Sequence, residues 1–468
     1  MSAVLAGTLT ETRTVPLSDA VEFNPKPDRG SLPEDLEISF VPMAAVEAGS
    51  GRMEPTQARP YSEVKKGFTY FCDGDVLFAK ITPCMENGKM AVASGLRNGI
   101  GFGSTEFHVL RPRAGVDARY VYYFVSSSDF RREAAHHMTG AVGQKRVPLS
   151  FLQQSELLLP PLNEQRRIVA EIEKQFSRLD EAVANLQRVK ANLRRIKTAI
   201  LKDAVEGRLV ANEGELAKSR GMGALDGNAL LESLLRERRT RWNRPGLYRE
   251  PEEPSEAIGF DLPHGWAVAT VAQLSWSVEY GSSAKTTGDT SGVPVLRMGN
   301  LVDGQLFFDD LKYLPAAHDE FPKLCLEVGD ILFNRTNSPE LVGKTAVFKG
   351  TTRKCSFASY LIRVRTLSGC LPDFLAAYIN STHGRQWVKS VVTQQVGQAN
   401  VNGSKLQALA VPLPPLAEQH RIVAEVDRRL SIVRAIAAEL DMNVGRASRL
   451  RDAVLKVAFS RASLEIKT

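Results

Sequence analysis

Cysteine is scarce in this sequence, and no two cysteines form a C-x-x-C pair. The five cysteines are Cys72, Cys84, Cys325, Cys355 and Cys370. Their odd number and wide spacing argue against a zinc ribbon and against a disulfide framework. Long apolar runs are missing too, because no stretch approaches the roughly 18 residues of a membrane span, and the first residues lack the pattern of a signal peptide. We therefore predict a cytoplasmic protein that makes no contact with a membrane.

A strong charge of one sign is missing from most of the chain. The 468 residues carry a net charge of +7, from 60 basic and 53 acidic side chains. Residues 1–155 hold 17 basic and 17 acidic side chains, and residues 243–412 hold 16 of each. The surplus lies in residues 156–242, with 17 against 13, and in residues 413–468, with 10 against 7. Net charge alone is therefore a weak argument for a nucleic-acid partner.

Catalytic motifs are incomplete wherever fragments of them occur. Gly343–Thr345 looks like the end of a phosphate-binding loop, but Ser338 occupies the position of the required first glycine. His136 and His137 are adjacent, and without a nearby cysteine we interpret them as a solvated helix face. No Asn- or Asp-Pro-Pro-aromatic motif of amine methylation occurs. We therefore predict that this chain has no catalytic, metal or cofactor site of its own.

An internal repeat dominates what is present. Leu159–Glu171 recurs as Leu413–Glu425, and the ungapped match from Leu159 to Glu206 has 19 identities in 48 positions. A Pro-Pro pair precedes helix-forming sequence in both copies. An internal repeat of this kind indicates the architecture of a chain independently of any short motif. The chain is therefore predicted to contain two copies of one unit.

The better-kept part of each copy has a heptad pattern. In the first copy Ile172, Leu179, Leu186, Leu193 and Ile200 recur every seven residues, and in the second copy Val426, Val433, Leu440, Ala447 and Val454 do so. Such a seam predicts a long helix that packs against another helix. We expect two helices of about 40 residues each that pair with one another. The repeat alone leaves parallel and antiparallel pairing open.

The rest of each copy is predicted to be a mixed domain. Gly74–Phe78 matches Gly329–Phe333, and Val142–Gln144 matches Val396–Gln398. Short apolar runs between turn residues predict strands, and helices are expected near residues 118–127, 372–381 and 226–243. We divide the chain into residues 1–155 (first domain), 156–242 (first helical region and linker), 243–412 (second domain) and 413–468 (second helical region). The predicted fold class is α+β, with two similar α/β domains separated by two long helices.

Three motifs together resemble a known family. The first motif is P-P-L-x-E-Q-x-R-I-V-A-E, which opens the predicted helices at Leu159 and Leu413. The second is the run Gly329–Ser338, and the third is the opening Leu262–Trp266 of the second domain. All three are similar to the specificity subunit of type I restriction–modification enzymes. The similarity extends over nearly the whole chain. The first domain departs from it, because it lacks the L-P-x-G-W opening and has Ala79–Thr82 where the second has Asn334–Asn337.

The resemblance implies a function in DNA recognition. It implies two target-recognition domains, each reading one half of a bipartite sequence in double-stranded DNA, and an antiparallel coiled coil that sets the spacer and docks the modification subunits. It also implies a non-catalytic chain. Two modification (methyltransferase) subunits and restriction (ATPase-nuclease) subunits would be its partners. ATP, Mg²⁺ and S-adenosylmethionine would then be bound by those partners.

Candidate DNA contacts are polar side chains in predicted loops of both domains. Bases are read by Arg, Lys, Asn and Gln side chains, whereas phosphate contacts only position the protein. Arg335 is the first candidate, because its predicted loop follows an apolar strand. The full set is Lys80, Thr82, Gln144, Lys145 and Arg146 in the first domain and Asn334, Arg335, Thr336, Asn337, Gln398 and Asn400 in the second.

Two alternatives remain open at the level of sequence. The first is a purely structural coiled-coil scaffold that joins other proteins. The second is a self-sufficient endonuclease, because Asp28 followed by Glu63 and Lys65 fits a loose pattern of two acids and a lysine around a metal. The first alternative predicts no sequence-selective DNA binding, and the second predicts magnesium-dependent cutting by the isolated chain.

Overall fold

The computed structural model describes residues 12–28, 32–54, 57–141, 143–220, 226–243, 246–395 and 398–460. Contacts divide the chain into two compact units. Unit 1 runs to Arg188 and resumes at Leu440, and unit 2 spans Val189–Glu439. Each unit holds one mixed domain and part of each long helix. Val142, Val396 and Gly397 of the predicted repeat lie outside the described residues.

The first domain consists of short strands joined by short helices. Its strands are β1 (Arg13–Pro16), β2 (Val21–Phe23), β3 (Glu37–Val41), β4 (Gln57–Pro60), β5 (Thr69–Cys72), β6 (Val76–Ala79), β7 (Met90–Val92), β8 (Ile100–Gly103), β9 (Phe107–Pro112) and β10 (Glu156–Leu159). Its helices are α1 (Leu17–Ala20), α2 (Tyr61–Val64), α3 (Ala118–Ser126), α4 (Ser128–His136) and α5 (Leu149–Gln154), with 3-10 turns at Met43–Ala45 and Arg97–Gly99.

The sheet that carries β6 is buried on both faces. Its strand order is β2-β9-β6-β7, and all its pairs are antiparallel. Because side chains alternate along a strand, Val76 and Phe78 enter one apolar core while Leu77 and Ala79 enter another. The second core lies toward the sheet β4-β3-β8-β5, in which β3 and β8 are parallel. Strands β1 and β10 pair separately and join the two ends of the domain.

One long helix and two shorter ones connect the domains along the chain. These are α6 (Leu162–Val205), α7 (Glu213–Arg220) and α8 (Gly227–Thr240). Helix α6 is 44 residues long, close to the predicted length. It ends before Gly207, whose φ of +72° favours glycine and whose added Cβ would collide with Pro263. Helix α8 confirms the helix predicted near residues 226–243.

The second domain repeats the design of the first. Its strands are β11 (Ala267–Thr270), β12 (Ser275–Tyr280), β13 (Val293–Leu296), β14 (Leu301–Val302), β15 (Gln305–Leu306), β16 (Lys312–Leu314), β17 (Ile331–Asn334), β18 (Thr336–Asn337), β19 (Thr345–Val347), β20 (Ser356–Phe357), β21 (Leu361–Thr366), β22 (Thr393–Gln395), β23 (Gln398–Asn400) and β24 (Ala410–Leu413). Its helices are α9 (Val271–Leu274), α10 (Pro372–Asn380), α11 (Thr382–Val391) and α12 (Gly403–Ala408), with a 3-10 turn at Met298–Asn300; α13 (Leu416–Ala458) follows.

Corresponding sheets occur in both domains. The order β12-β21-β17-β19 matches β2-β9-β6-β7, and the parallel pair β13-β20 matches β3-β8. Ile331 and Phe333 of β17 enter one core and Leu332 enters another, as in β6. The faint sequence repeat between the domains therefore reports a real structural repeat, and the predicted fold class is confirmed.

A buried ion pair holds the central strands of each sheet together. In the first domain Arg111 donates to Asp75 from Nε at 2.8 Å and from Nη2 at 2.7 Å. In the second, Arg365 donates to Asp330 from Nε at 2.7 Å and from Nη2 at 3.2 Å. A two-pronged arginine–carboxylate pair is stronger than a single hydrogen bond, and it also fixes the relative orientation of the two side chains. These pairs therefore fix β6 to β9 and β17 to β21.

The long helices pair in antiparallel fashion. In unit 1 the guanidinium of Arg451 lies 4.6 Å from the ring centre of Phe176, and its Nη2 lies 2.9 Å from Asp180 Oδ1. In unit 2 the second half of α6 and the first half of α13 share one apolar cluster, which contains Leu201 and Val426. The first half of each helix therefore pairs with the second half of the other. This result settles the orientation that the heptads leave open.

Each long helix is tied to its domain by the glutamine of the repeated motif. Gln165 accepts from Asp117 N at 2.9 Å and donates to the carbonyls of Pro160 and Gly115 at 2.8 and 3.1 Å. Gln419 makes the same three bonds with Leu371 N, Pro414 O and Gly369 O, at 2.9, 3.0 and 3.0 Å. Both side chains are fully buried. The motif is thus kept for a structural reason.

We expect Gln419→Ala to destabilise unit 2 by about 2–4 kcal/mol, because buried backbone groups would lose their partners. All four tryptophans lie in unit 2, so urea denaturation followed by tryptophan fluorescence reports on this unit. Gln305→Ala, at an exposed position of unit 2, is the control and should leave the midpoint unchanged. An equal, small shift in both variants would show that Gln419 does not hold the helix start.

Candidate nucleic-acid interface

Two predicted DNA-contact segments of the first domain lie side by side. Thr82 N donates to Lys145 O at 3.0 Å, and Val147 N donates to Lys80 O at 2.8 Å. Lys145 N in turn donates to Thr82 Oγ1 at 3.1 Å across a sequence separation of 63 residues. Lys80 N also donates to Glu106 O at 2.9 Å. The segments therefore form one surface, to which Glu106 contributes.

The second domain brings its own predicted segments together in the same way. Strand β18 pairs with β23, with Thr336 opposite Asn400, and Val401 N donates to Arg335 O at 2.9 Å. Arg335 N donates to Tyr360 O at 3.0 Å. These bonds repeat those of Val147, Lys80 and Glu106. We call the two surfaces the first paired site (Lys80–Thr82, Glu106 and Gln144–Val147) and the second paired site (Arg335–Asn337, Tyr360 and Gln398–Val401).

The first paired site contains a network of charged side chains. Arg146 donates to the Glu106 carboxylate from Nε at 2.9 Å and from Nη2 at 2.8 Å, and from Nη1 to Gln144 O at 3.1 Å. The Arg146 guanidinium lowers the pKa of the Glu106 carboxyl. Burial lowers the pKa of Lys80, opposed by the nearby Glu106 carboxylate. His108, behind the site, lies with Nε2 3.0 Å from Val147 O, and its burial lowers its pKa.

The second paired site is built from different chemistry. The Arg335 guanidinium lies 4.8 Å from the ring centre of Tyr280 and makes long contacts of 3.4 Å to Ser359 O and Asn400 Oδ1. Gly403 N donates to Tyr280 Oη at 2.7 Å, which fixes the ring. Asn400 Nδ2 donates to Thr336 Oγ1 at 3.2 Å. Amide, hydroxyl and aromatic groups thus replace the carboxylate–guanidinium network.

The structure corrects two sequence-based expectations about the second domain. The segment from Asn334 to Ser338 is not a loop, because Asn334 ends β17 and Thr336–Asn337 form β18. Asn334 is also fully buried and donates from Nδ2 to Leu341 O at 3.4 Å. A buried side chain offers no atom to a macromolecule, so Asn334 is removed from the candidate contacts. It holds the turn that follows β17.

The other predicted residues lie at or near the surface. Gln144, Lys145 and Gln398 are exposed, and the remaining candidates are half-buried: Lys80, Thr82, Arg146, Arg335, Thr336, Asn337 and Asn400. These side chains are therefore accessible to a ligand.

Three neighbouring residues were missed by sequence reasoning: Glu106, Tyr280 and Tyr360. Tyr280 and Tyr360 are exposed by 45% and 48%. Glu106 and Tyr360 are counterparts in the two domains. Glu106 precedes β9, which carries Arg111, and Tyr360 precedes β21, which carries Arg365. Extending the repeat alignment into these strands could have located Glu106 and Tyr360. Tyr280 ends β12, and its contact with Arg335 is visible only in the structure.

No described residues form a metal or membrane site. Among the residues that the structure describes, no group of three or more His, Cys, Asp or Glu side chains could hold a metal ion. Lys65, from the loose nuclease pattern, is paired with Glu34, with Nζ 2.7 Å from Oε1. No helix within the same described ranges is long and apolar enough to cross a bilayer.

These features define a class of protein: two related domains present the same backbone surface with different polar side chains. Residues 15–191 and 278–440 match the family described as the type I restriction modification DNA specificity domain. The chain belongs to this family. Each matched stretch contains one paired site. The chain is therefore a DNA-recognition subunit of the type I restriction–modification class, DNA-binding rather than catalytic.

Individual relatives agree with this assignment. The type I restriction enzyme EcoAI specificity subunit of Escherichia coli is 27% identical over 88% of this chain and 76% of the relative. The EcoEI specificity subunit of Escherichia coli is 25% identical over 95% of this chain and 82% of the relative. A solved structure from a study of complex assembly in the type I R-M system has a TM-score of 0.66 at 20% identity, covering 96% and 98% of the two chains. That structural likeness supports the fold.

Proposed function

We propose that each paired site reads one half of a bipartite DNA sequence. The observation that carries this proposal is that both domains build the same surface from the same backbone hydrogen bonds but place different side chains on it. A shared scaffold with divergent polar groups suits two readers of different base sequences.

The side chains suit base recognition. Arginine and lysine favour guanine O6 and N7, and asparagine and glutamine favour adenine N6 and N7. The first paired site offers Lys80, Thr82, Gln144, Lys145 and Arg146. The second offers Arg335, Thr336, Asn337, Gln398 and Asn400. The two half-sequences should therefore differ. Recognition by the first paired site should depend more on cationic side chains than recognition by the second.

The long helices are proposed to set the spacer and to dock two modification subunits, which restriction subunits then join. ATP, Mg²⁺ and S-adenosylmethionine would be bound by those partners. Support comes from exposed apolar side chains on α13 in unit 2, where Ile432 and Ile436 are 49% and 42% exposed. These residues lie one turn apart on the helix, and exposed apolar patches commonly mark protein-interaction surfaces.

The test is reconstitution with adenine methyltransferase (modification) subunits of a type I system. With S-adenosylmethionine added, we expect methylation of adenine within one bipartite sequence, mapped across a library of random duplexes. The isolated chain with DNA and Mg²⁺ is the control and should not cut. Methylation without sequence preference would support the scaffold alternative, and cutting by the isolated chain that Glu63→Ala abolishes would support the endonuclease alternative.

A further inference from the structure

A carboxylate occupies one edge of the arginine in the first paired site. Glu106 takes the Nε–Nη2 edge of Arg146, and the side chains are 25% and 43% exposed. Gln144 O takes one Nη1 hydrogen. A guanidinium has five N–H donors, so one donor on Nη1 and one on Nη2 have no partner among the described residues. Arg146 is thus bound on one side and available on the other.

The pairing limits both the orientation and the charge of the site. Two-pronged arginine–carboxylate geometry is planar and directional, so the guanidinium plane is fixed before any ligand arrives. Glu106 also faces Lys80, and their mutual attraction opposes the effect of burial on Lys80. The three side chains carry one net positive charge, whereas without Glu106 they would carry two.

The second paired site has no carboxylate at the corresponding position. Tyr360 replaces Glu106, and the neutral Asn400 replaces Arg146. The carboxylate therefore occurs in the domain that has an arginine at the position of Arg146, whereas Arg335 of the second paired site lies at the position of Lys80. This correlation connects Glu106 to Arg146 rather than to the shared scaffold.

We propose that Glu106 is a specificity-determining positioning residue, which holds Arg146 in the orientation that reads a base edge and reduces its attraction for phosphate. The inference rests on the proposed function of the first paired site. Phosphate binding is independent of sequence and depends mainly on cationic charge, whereas base readout needs a fixed donor geometry. Removing the carboxylate should therefore increase non-specific binding and decrease specific binding.

The experiment measures binding of the full chain, in complex with its modification subunits, to two duplexes of equal length. One duplex carries the bipartite sequence that the complex methylates. In the other duplex, the half of that sequence read by the first domain is scrambled. For Glu106→Gln we expect about 5- to 100-fold weaker discrimination, in the range of one lost base contact. Affinity for the scrambled duplex should rise, and the salt dependence of that affinity should steepen by about one phosphate contact.

Matched variants separate this role from a structural one. Glu34→Gln removes a carboxylate that pairs with Lys65 elsewhere in the first domain, and it should leave discrimination unchanged. Glu106→Asp should restore part of the discrimination. In Glu106→Gln combined with Arg146→Gln, affinity for the scrambled duplex should fall back to the wild-type value, because the released cation is gone.

The outcomes are distinguishable. If the wild-type complex itself does not discriminate between the duplexes, the proposed function fails. If the wild type discriminates and Glu106→Gln does so equally, only the role of Glu106 fails. Equal weakening of both duplexes would assign Glu106 a purely structural role and also overturn the inference. Should Glu106→Gln not fold, Arg146→Lys, which keeps the charge and loses the fork, must lower discrimination for the inference to stand.

Discussion

Exchanging the first domain for the matching block of the EcoAI relative is expected to change one half of the recognised DNA sequence and leave the other half unaltered. The exchanged block should run through Leu159, so that β1 and β10, which pair along their length, come from one parent. Each wrong base pair costs about 1–3 kcal/mol. An altered half-sequence of three base pairs therefore shifts preference by about 3–9 kcal/mol, which is the largest effect on specificity that we expect.

The measurement is methylation mapping by the reconstituted complex. The reciprocal exchange of the second domain is the matched control and should change only the other half. Both halves changing after a single exchange would show that the paired sites act together rather than as separate readers. An unchanged sequence would show that the first domain does not read DNA.

Local elements were accessible from the sequence because their signals are local. Helices were predicted near residues 118–127 and 372–381 and are observed as Ala118–Ser126 and Pro372–Asn380. The heptad seam is confirmed, since Ile172, Leu193 and Ile200 are buried in α6. Hydrophobic periodicity and turn residues contain this information within a few residues of each position.

Long-range pairing was not accessible in the same way. Nothing in a single sequence shows that Thr82 and Lys145, 63 residues apart, bond to each other. The burial of Asn334 was hidden for a similar reason, because a polar residue at the end of an apolar strand suggests exposure. In the structure Asn334 is buried, and its Nδ2 donates to Leu341 O in the turn that follows β17.

The comparison of the two copies shows which residues serve the fold and which serve recognition. Gln165 and Gln419 make identical bonds, and the Asp75–Arg111 and Asp330–Arg365 pairs occupy matching strands. Lys80 and Arg146 have no identical counterpart in the second paired site. The buried pairs and glutamines that recur in both copies therefore serve the fold, and the polar side chains that differ on the shared scaffold indicate the reading surface.

The second large effect concerns stability. Asp330→Ala is expected to destabilise unit 2 by about 3–5 kcal/mol, because the guanidiniums of Arg363 and Arg365 lose their shared buried carboxylate and keep only Glu279 and Glu327 as acidic partners. Asp330 receives two bonds from Arg365 and one from Glu327 N at 2.9 Å, and Arg363 Nη1 lies 3.6 Å away. The side chains of Asp330, Arg363 and Arg365 are only 3%, 1% and 14% exposed. The carboxylate thus lies among guanidiniums that have little contact with solvent.

Urea denaturation followed by tryptophan fluorescence measures this loss, because Trp276 lies in unit 2 with the Arg365 guanidinium 5.4 Å from its ring centre. Asp75→Ala is the matched control in unit 1, which has no tryptophan, and it should not shift the fluorescence midpoint. The loss of stability that Asp75→Ala causes in unit 1, measured by circular dichroism, should be smaller than that of Asp330→Ala. The reason is that Asp75 pairs with one arginine, whose side chain is 31% exposed. If Asp330→Ala keeps the wild-type midpoint, Glu279 and Glu327 are sufficient partners for the two arginines, and the Asp330–Arg365 pair does not hold β17 to β21.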